Sequence, residues 1–335
     1  MTNPYDQIRT VFIGGCPRSG TTLLGAMLGA APRCVATPES QFKQSIPSDL
    51  KVDWKRGLGR DDFQRALKKN FRFKLWGIHP PHSGGAGEMN PQEYREAILS
   101  LIDVYALKEG MTDWGVWIDH TPENILEPLT IMKIFPEAKF IHIIRDPRAV
   151  AASILKLDWG PDSAGHAARF WAEKLSYGQA LELAYPDQCM RVHFEDIVKS
   201  PEETLRSVCD FCGIEFVEGI LSGGGFRPPA YTKRQHKLIG SGPDPGRLDA
   251  WRSRLDPWEI QDIENIIGGL MEISGYSRSS LVKLSGRPWN RRLVQRLRPF
   301  MTYLRKKRHQ FRKKYYGRIR LARNSPSKVS HIEKT

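Results

Sequence analysis

The chain of 335 residues lacks several features that define common protein classes. No apolar run approaches the roughly 18 residues of a membrane-spanning helix, and the polar start MTNPYDQIRT has no secretory apolar segment. The five cysteines do not form a disulfide framework. These absences argue against a disulfide-stapled secreted domain and predict a soluble protein of a reducing, cytoplasmic compartment.

Metal-binding patterns are also scarce. Cys209 and Cys212 have the spacing of a redox or metal pair, but they lie in an amphipathic helical pattern over residues 202–213. Because no second Cys or His pair completes a zinc set, we interpret them as core residues. His79 and His82 fall in a turn-rich stretch and are interpreted as loop residues. The sequence therefore predicts no metal site.

Acidic residues are nearly absent from the C-terminal end of the chain. The segment from Arg287 to Thr335 holds 17 of the 51 Lys and Arg residues and one of the 37 Asp and Glu residues, so it carries +16 and the remainder −2. We predict a domain over residues 1–285 and a basic, amphipathic helical extension over residues 286–335. The apolar residues of the extension recur at helical spacing: Leu293, Leu297, Phe300, Leu304, Phe311 and Tyr315.

A helix of this kind is typical of proteins that bind anionic lipid surfaces. We therefore expect the extension to contact the inner face of a membrane. Contact with another polyanion, or no specific partner, stays open as an alternative. No RNA-binding motif accompanies the charge, so nucleic acid is not the expected partner.

The first part of the chain contains a strand, a glycine-rich turn and a helix in that order. An apolar run over residues 11–13 predicts a buried strand, residues 14–20 form the turn, and residues 23–31 predict a helix that ends before Pro32. This order favours an anion site, because the loop amides and the helix N-terminus both present partial positive charge. The alternative is a tight turn without a ligand.

The turn differs from the P-loop of nucleoside triphosphatases at one informative position. Gly15 and Gly20 have the P-loop spacing, but the next residue is Thr21 where the lysine that holds the β- and γ-phosphates is required. A cation lies inside the turn instead, at Arg18, whose planar guanidinium suits bidentate contact with phosphate or sulfate. The turn therefore predicts binding of an anion other than the triphosphate of ATP.

Two stretches together resemble a known enzyme family. PRSGTT after a strand resembles the 5′-phosphosulfate loop of the sulfotransferases that use 3′-phosphoadenosine 5′-phosphosulfate (PAPS). The strand-like run over residues 139–144, followed by Arg145 and, eight residues later, Ser153, resembles the 3′-phosphate segment of that family. The resemblance extends over residues 10–277, is strongest to the bacterial and protein-tyrosine branch, and supports an α/β, P-loop-like three-layer fold with a mostly parallel sheet.

The resemblance implies a set of residues that contact PAPS. The glycine-rich turn would hold the 5′-phosphosulfate, Arg145 and Ser153 would select the 3′-phosphate, and Arg247 in a late loop would add a cation. The implied contacts are Arg18, Ser19, Gly20, Thr21, Thr22, Arg145, Ser153 and Arg247. For Arg145, the alternative is a surface ion pair.

Two residues that follow predicted strands are candidates for chemistry beside Arg18. Glu39 follows a strand over residues 34–37, at the carboxyl end where open parallel sheets bind ligands, and the resemblance implies a general base there. His120 follows a strand over residues 116–119, where the family often has a lysine that contacts the leaving group. The alternatives are a surface carboxylate for Glu39 and a packed histidine for His120.

The sequence thus predicts transfer of a sulfuryl group from PAPS to a hydroxyl, without a required metal. The acceptor could be a glycan, a glycolipid, a tyrosine or a small alcohol, and the basic extension favours a carbohydrate or lipid-linked one. Residues 43–90 carry few structural signals and are a natural place for acceptor recognition. A P-loop kinase-like phosphotransferase and a non-catalytic nucleotide- or membrane-binding module are the alternatives.

Overall fold

The computed structural model of the chain describes residues 3–81, 87–230 and 239–279, with residues 303–304, 307–311 and 314–315 near the C-terminus. The strands are β1 (Arg9–Gly15), β2 (Cys34–Thr37), β3 (Leu58–Gly59), β4 (Glu88–Met89), β5 (Val116–Asp119), β6 (Lys139–Ile144) and β7 (Cys189–His193). Five of them form one parallel sheet in the spatial order β2, β5, β1, β6, β7, and β3 pairs with β4 in a short antiparallel ladder.

Helices cover both faces of the sheet. They are α1 (Thr21–Leu28), α2 (Phe42–Asp49), α3 (Arg60–Lys69), α4 (Phe71–Trp76), α5 (Pro91–Lys108), α6 (Pro128–Ile134), α7 (Pro147–Ile154), α8 (Ala164–Ala184), α9 (Phe194–Lys199), α10 (Pro201–Cys212) and α11 (Pro257–Ile273). This three-layer α/β arrangement confirms the predicted fold class.

The central strand β1 shows why the sheet is buried on both sides. Its apolar residues alternate in direction, as the pleat of a strand requires. Val11 and Ile13 enter one core, which includes Leu24 of α1. Phe12 enters the opposite core, where its ring packs edge-on against Trp117 with the centroids 5.4 Å apart. A continuous apolar run is therefore the pattern expected for a parallel strand between two helical layers.

Several helices begin at residues whose side chains satisfy free backbone amides. Asn90 and Glu93 form a reciprocal capping box at the start of α5, and Asp256 and Glu259 form one at the start of α11.

Cys209 and Cys212 lie on the buried face of α10, which confirms the prediction that they belong to the core.

The C-terminal extension is described only in part. Residues 303–304, 307–311 and 314–315 are helical, and Tyr303, Leu304, Phe311 and Tyr315 are exposed there. The predicted domain boundary between residues 285 and 286, together with Leu293, Leu297 and Phe300, lies outside the described residues. Within the described residues, no helix has both the length and the apolar character needed to cross a bilayer.

The sheet topology positions the candidate site. All five strands are parallel, so their carboxyl ends lie along one edge of the sheet. Along that edge, in spatial order, Glu39 follows β2, His120 follows β5, the glycine-rich turn follows β1 and Arg145 follows β6. This is the edge at which open α/β sheets bind their ligands.

Candidate active site

The anion loop, residues 16–20 between β1 and α1, presents polar groups without internal partners. Gly20 is the N-cap of α1 with φ of 107°, and no side chain caps the first turn, so the first amides of this helix lack acceptors within it. The hydroxyl of Ser19 is buried and has no hydrogen-bond partner among the residues that the structure describes. A bound oxyanion would satisfy these donors, which is the physical basis of anion binding at a helix N-terminus.

Arg18 adopts a left-handed backbone conformation with φ of 81°, which is unfavourable for a residue other than glycine. Two contacts hold it there. Its Nε donates to Ser153 Oγ over 3.0 Å, and its carbonyl oxygen accepts from Arg145 Nη1 over 3.2 Å. The loop is therefore fixed by residues about 130 positions later in the chain.

Arg145 links three parts of the site. Besides the carbonyl of Arg18, its guanidinium donates from Nη2 to the carbonyl of Arg247 over 2.9 Å. It also stacks on the ring of Phe194, with the guanidinium carbon 3.9 Å from the ring centroid. Trp171 Nε1 donates to the Arg145 carbonyl over 2.9 Å and fixes the backbone at this strand end. The Arg145 Nε is buried, and within the described part of the chain it has no hydrogen-bond partner.

The three arginines form a concentration of positive charge. Burial lowers the pKa of Arg145 to about 10; Glu195 opposes this shift, and the charges of Arg18 and Arg247 add to it. Burial also lowers the pKa of Arg18, with a further decrease from Arg247. Neighbouring like charges disfavour the charged form of each group, and a bound anion would relieve that repulsion. Arg247 is also bound to Asp244, with Nε 3.3 Å from a carboxylate oxygen.

Phe194 packs directly against the anion loop. A Cβ atom on Gly20 would lie 2.5 Å from Cδ2 of Phe194, so only glycine fits this approach as well as this φ. The same ring supports the guanidinium of Arg145. Phe194 therefore joins the loop of β1 to the arginine of β6.

Glu39 lies in a pocket on the opposite side of the loop, called the base pocket here. Its lining residues are Thr22, Pro38, Glu39, Arg72, Leu75, His120, Phe226 and Pro229. The Glu39 side chain is only 20% exposed and forms an ion pair with Arg72, Nη1 to Oε2, over 2.8 Å. Burial raises the pKa of Glu39, and the positive charge of Arg72 counteracts that increase. Glu39 is thus a largely buried carboxylate beside Thr22 of the loop helix.

His120 faces the same pocket from the end of β5. Its ring meets that of Phe226 edge-on, with the centroids 4.7 Å apart. A Cβ atom on Gly25 of α1 would lie 2.7 Å from the Cβ of His120, so the helix and the histidine are in close contact. Burial lowers the pKa of His120 to about 4. The imidazole is therefore neutral at neutral pH and can donate one hydrogen bond.

The structure brings the predicted residues into two adjoining groups. The loop residues lie with Arg145, Ser153 and Arg247, whereas Glu39 and His120 lie in the base pocket, and Thr22 borders both. Sequence analysis missed Arg72, which reaches Glu39 across 33 positions from α4. It also missed Lys43, which is fully buried behind the pocket. A single charged residue in a stretch without a motif gives no signal of such contacts.

Comparison with known proteins identifies the class. A family model described as "Sulfotransferase family" matches residues 10–218. Protein-tyrosine sulfotransferase 1 of Danio rerio is 30% identical over 296 residues, which cover 83% of this chain and 75% of that protein. A putative protein-tyrosine sulfotransferase of Caenorhabditis briggsae is 25% identical over 251 residues, 72% of this chain and 73% of that protein.

A solved structure supports the fold. The sulfotransferase domain from the Synechococcus PCC 7002 olefin synthase superposes with a TM-score of 0.50 and 23% identity, over 79% of this chain and 97% of that domain. The chain belongs to the sulfotransferase family, and the predicted family, the PAPS-dependent sulfotransferases, is confirmed. The protein is accordingly a sulfotransferase enzyme.

Proposed function

We propose that this enzyme transfers the sulfuryl group of PAPS to a hydroxyl acceptor and releases adenosine 3′,5′-bisphosphate. The observation that carries the proposal is the convergence of Arg18, Arg145 and Arg247 beside the unpartnered hydroxyl of Ser19. This cluster adjoins a pocket that contains a largely buried carboxylate, Glu39. Two phosphate-type sites and an adjacent base are what sulfuryl transfer from PAPS requires.

The cofactor contacts divide between the two ends of the cluster. Arg18, Ser19, Gly20, Thr21 and Thr22 would hold the 5′-phosphosulfate through amides, hydroxyls and a guanidinium. Arg145, Ser153 and Arg247 would bind the 3′-phosphate. The Arg145 Nε and the Ser19 Oγ fit this assignment. Each is a buried donor without a partner among the described residues, and a ligand oxygen would accept its hydrogen bond. When bound, PAPS supplies an activated sulfuryl group.

Glu39 would act as the general base. Its carboxylate would accept the proton of the acceptor hydroxyl as that oxygen bonds to sulfur, and the bridging oxygen would leave with adenosine 3′,5′-bisphosphate. Arg72 favours the ionised carboxylate, since its charge opposes the larger effect of burial, which raises the pKa of Glu39. Arg18 would balance charge on the sulfuryl oxygens, and neutral His120 would donate a hydrogen bond toward the bridging oxygen.

The acceptor is proposed to be a hydroxyl, with tyrosine as the first one to test. The support is that two relatives are named protein-tyrosine sulfotransferases, one as putative. A carbohydrate or lipid-linked hydroxyl is the second candidate, because the segment from Arg287 to Thr335 carries +16 and would favour an anionic membrane surface.

Calorimetric titration tests the cofactor assignment directly. Wild-type protein and the Arg145→Ala variant are titrated with adenosine 3′,5′-bisphosphate and, separately, with ADP. We expect wild type to bind the bisphosphate selectively and the variant to lose that binding. Equal or preferential binding of ADP would contradict the proposal and favour a kinase-like site. A protein that binds the bisphosphate but transfers no sulfuryl group from PAPS to any acceptor would be a non-catalytic module.

A further inference from the structure

A buried ion pair lies directly behind the base pocket. Lys43 on α2 and Asp119 at the end of β5 both have fully inaccessible side chains, and Nζ lies 2.6 Å from Oδ2. Lys43 also donates to Asn124 Oδ1 over 2.6 Å. Its ammonium stands over the ring of Phe12, 5.0 Å from the centroid. The described polar contacts of the Lys43 ammonium are all with buried protein groups, and the ammonium is not exposed to solvent.

Asp119 accepts hydrogen bonds from the segment that contains Glu39 and from the segment that contains His120. It accepts from the hydroxyl of Ser40, from the amide of Thr121 over 2.8 Å and from the hydroxyl of Thr121 over 2.5 Å. The amide of Ser40 in turn donates to Thr121 Oγ1 over 2.9 Å. Ser40 follows Glu39 directly, and Asp119 and Thr121 flank His120. These hydrogen bonds therefore connect the backbone next to Glu39 with the backbone on either side of His120.

The same cluster reaches the strand that leads into the anion loop. Asn124, which accepts from Lys43, donates from Nδ2 to the carbonyl of Ile13 over 3.0 Å and to that of Asp119 over 3.3 Å. Gly14 and Gly15 then lead into the loop. One buried network thus fixes the carboxyl ends of β1, β2 and β5 relative to one another.

Contacts within the pair oppose the effect of burial on both charges. Burial lowers the pKa of Lys43, and the charge and hydrogen bond of Asp119 counteract that decrease. Burial alone would raise the pKa of Asp119, but the Lys43 ammonium and the hydrogen bonds from Ser40 and Thr121 hold that pKa below its ordinary value. A buried pair of this kind contributes little net stability compared with apolar residues of similar volume. Fixing one geometry is a role that an apolar pair would not fill.

We infer that Lys43 is a positioning residue for sulfuryl transfer, which acts through Asp119 to hold the Glu39 and His120 segments in register over the anion loop. This inference rests on the proposed function, because the network positions Glu39 and His120, to which that function assigns the chemistry. It does not involve the cofactor cluster of Arg18, Arg145 and Arg247. Binding of adenosine 3′,5′-bisphosphate and turnover should therefore respond differently to changes in the network.

Two variants and one control test the inference. The double substitution Lys43→Met with Asp119→Asn removes both charges and keeps the volume, and Ser40→Ala removes one hydrogen bond only. Glu182→Gln is the control, since Glu182 pairs with buried His142 and with Arg191 far from the pocket. Each protein is assayed for folding by thermal melting, for bisphosphate affinity by calorimetry, and for transfer from labelled PAPS to 4-nitrophenol and a tyrosine peptide.

We expect kcat to fall about 100-fold in the double variant, the effect of misplacing catalytic groups by about 1 Å, and to fall less in Ser40→Ala. Bisphosphate affinity should stay unchanged in Ser40→Ala, whose lost hydrogen bond does not reach β1, and should change far less than kcat in the double variant. The control should keep its kcat. Unchanged kcat in the folded variants would overturn the inference. Should the double variant fail to fold, Ser40→Ala decides the question by the same criterion.

Hydrogen–deuterium exchange gives a readout independent of turnover. In Ser40→Ala we expect faster exchange in peptides that cover residues 38–41 and 119–124, with no change over residues 16–22. Equal exchange throughout would contradict the inference. A wild-type protein that binds the bisphosphate but sulfates no acceptor would contradict the proposed function instead, and the exchange data would still decide the role of the network.

Discussion

The two sides of the active site are built differently. On the proposed cofactor side, residues 16–22 are adjacent in the sequence and include the N-terminus of α1, and Arg145, Ser153 and Arg247 join them from later segments. On the acceptor side, Glu39, Arg72 and His120 come from three separated segments and meet only through tertiary packing. Any sequence that forms the turn presents backbone amides at the helix N-terminus. The ion pair of Glu39 with Arg72, in contrast, requires that two separate segments place both side chains correctly. The first side should therefore tolerate substitution better than the second.

The largest expected effect is on the acceptor side, at Glu39. The Glu39→Gln substitution keeps the shape but removes the proton acceptor, so we expect kcat to fall by about 100- to 10,000-fold. Bisphosphate affinity, measured by calorimetry, should not change. The exposed Glu202→Gln variant on α10 serves as control. A kcat within a few-fold of wild type would assign the base to another residue.

The next effect is on the cofactor side, at Arg145. Lysine replaces the separate Nη1 and Nη2 donors, which bond to the carbonyls of Arg18 and Arg247, with a single ammonium, and it cannot stack as a plane on Phe194. Losing one charged hydrogen bond costs about 1.5–3 kcal/mol, so Arg145→Lys should weaken bisphosphate binding by about 10- to 100-fold. Arg206→Lys is a matched control, because Arg206 also stacks on a ring, that of Phe216, with 4.0 Å between guanidinium carbon and centroid. Equal affinities in the two variants would contradict the assignment.

A smaller effect concerns the pH dependence. Glu39 must be ionised to accept a proton, so kcat decreases as the pH falls through its pKa. Because the charge of Arg72 lowers that pKa, the Arg72→Ala substitution should raise it and move the acidic limb of the kcat profile to higher pH. The exposed Arg65→Ala variant on α3 provides the reference profile. A profile that stays the same as that of the reference variant would show that Arg72 does not act on the base.

The smallest effect is on stability, where the two sides meet. Alanine at Gly25 would place a methyl group against His120, and overpacking of this kind costs about 1–3 kcal/mol. We expect a lower melting temperature for Gly25→Ala. Gly269→Ala on α11 is the matched control, since no atom lies within 4 Å of the added carbon and alanine favours a helix. If Gly25→Ala and Gly269→Ala had the same melting temperature, α1 would be able to move away from β5 at little cost in free energy.

Much of the fold followed from pattern. The apolar run of β1, the glycine turn and the start of α5 at Asn90 and Pro91 are local signals, and the structure has each of them. Residues 43–90 gave few signals, yet they contain α3 and α4 and most of α2. These helices are short, and Phe63, Phe73 and Trp76 become buried only when the whole chain folds. Short helices depend on tertiary packing because their intrinsic stability is low.

Pattern alone was enough to predict the family, the parallel α/β layering and the glycine-rich turn, because these depend on periodicity and on residues adjacent in the chain. The ion pair of Arg72 with Glu39, the lowered pKa of His120 and the burial of Lys43 against Asp119 became visible only in the folded chain. Each of these depends on distance and on exclusion of water. Both arise when segments far apart in sequence pack together, since charge interactions strengthen as solvent is removed.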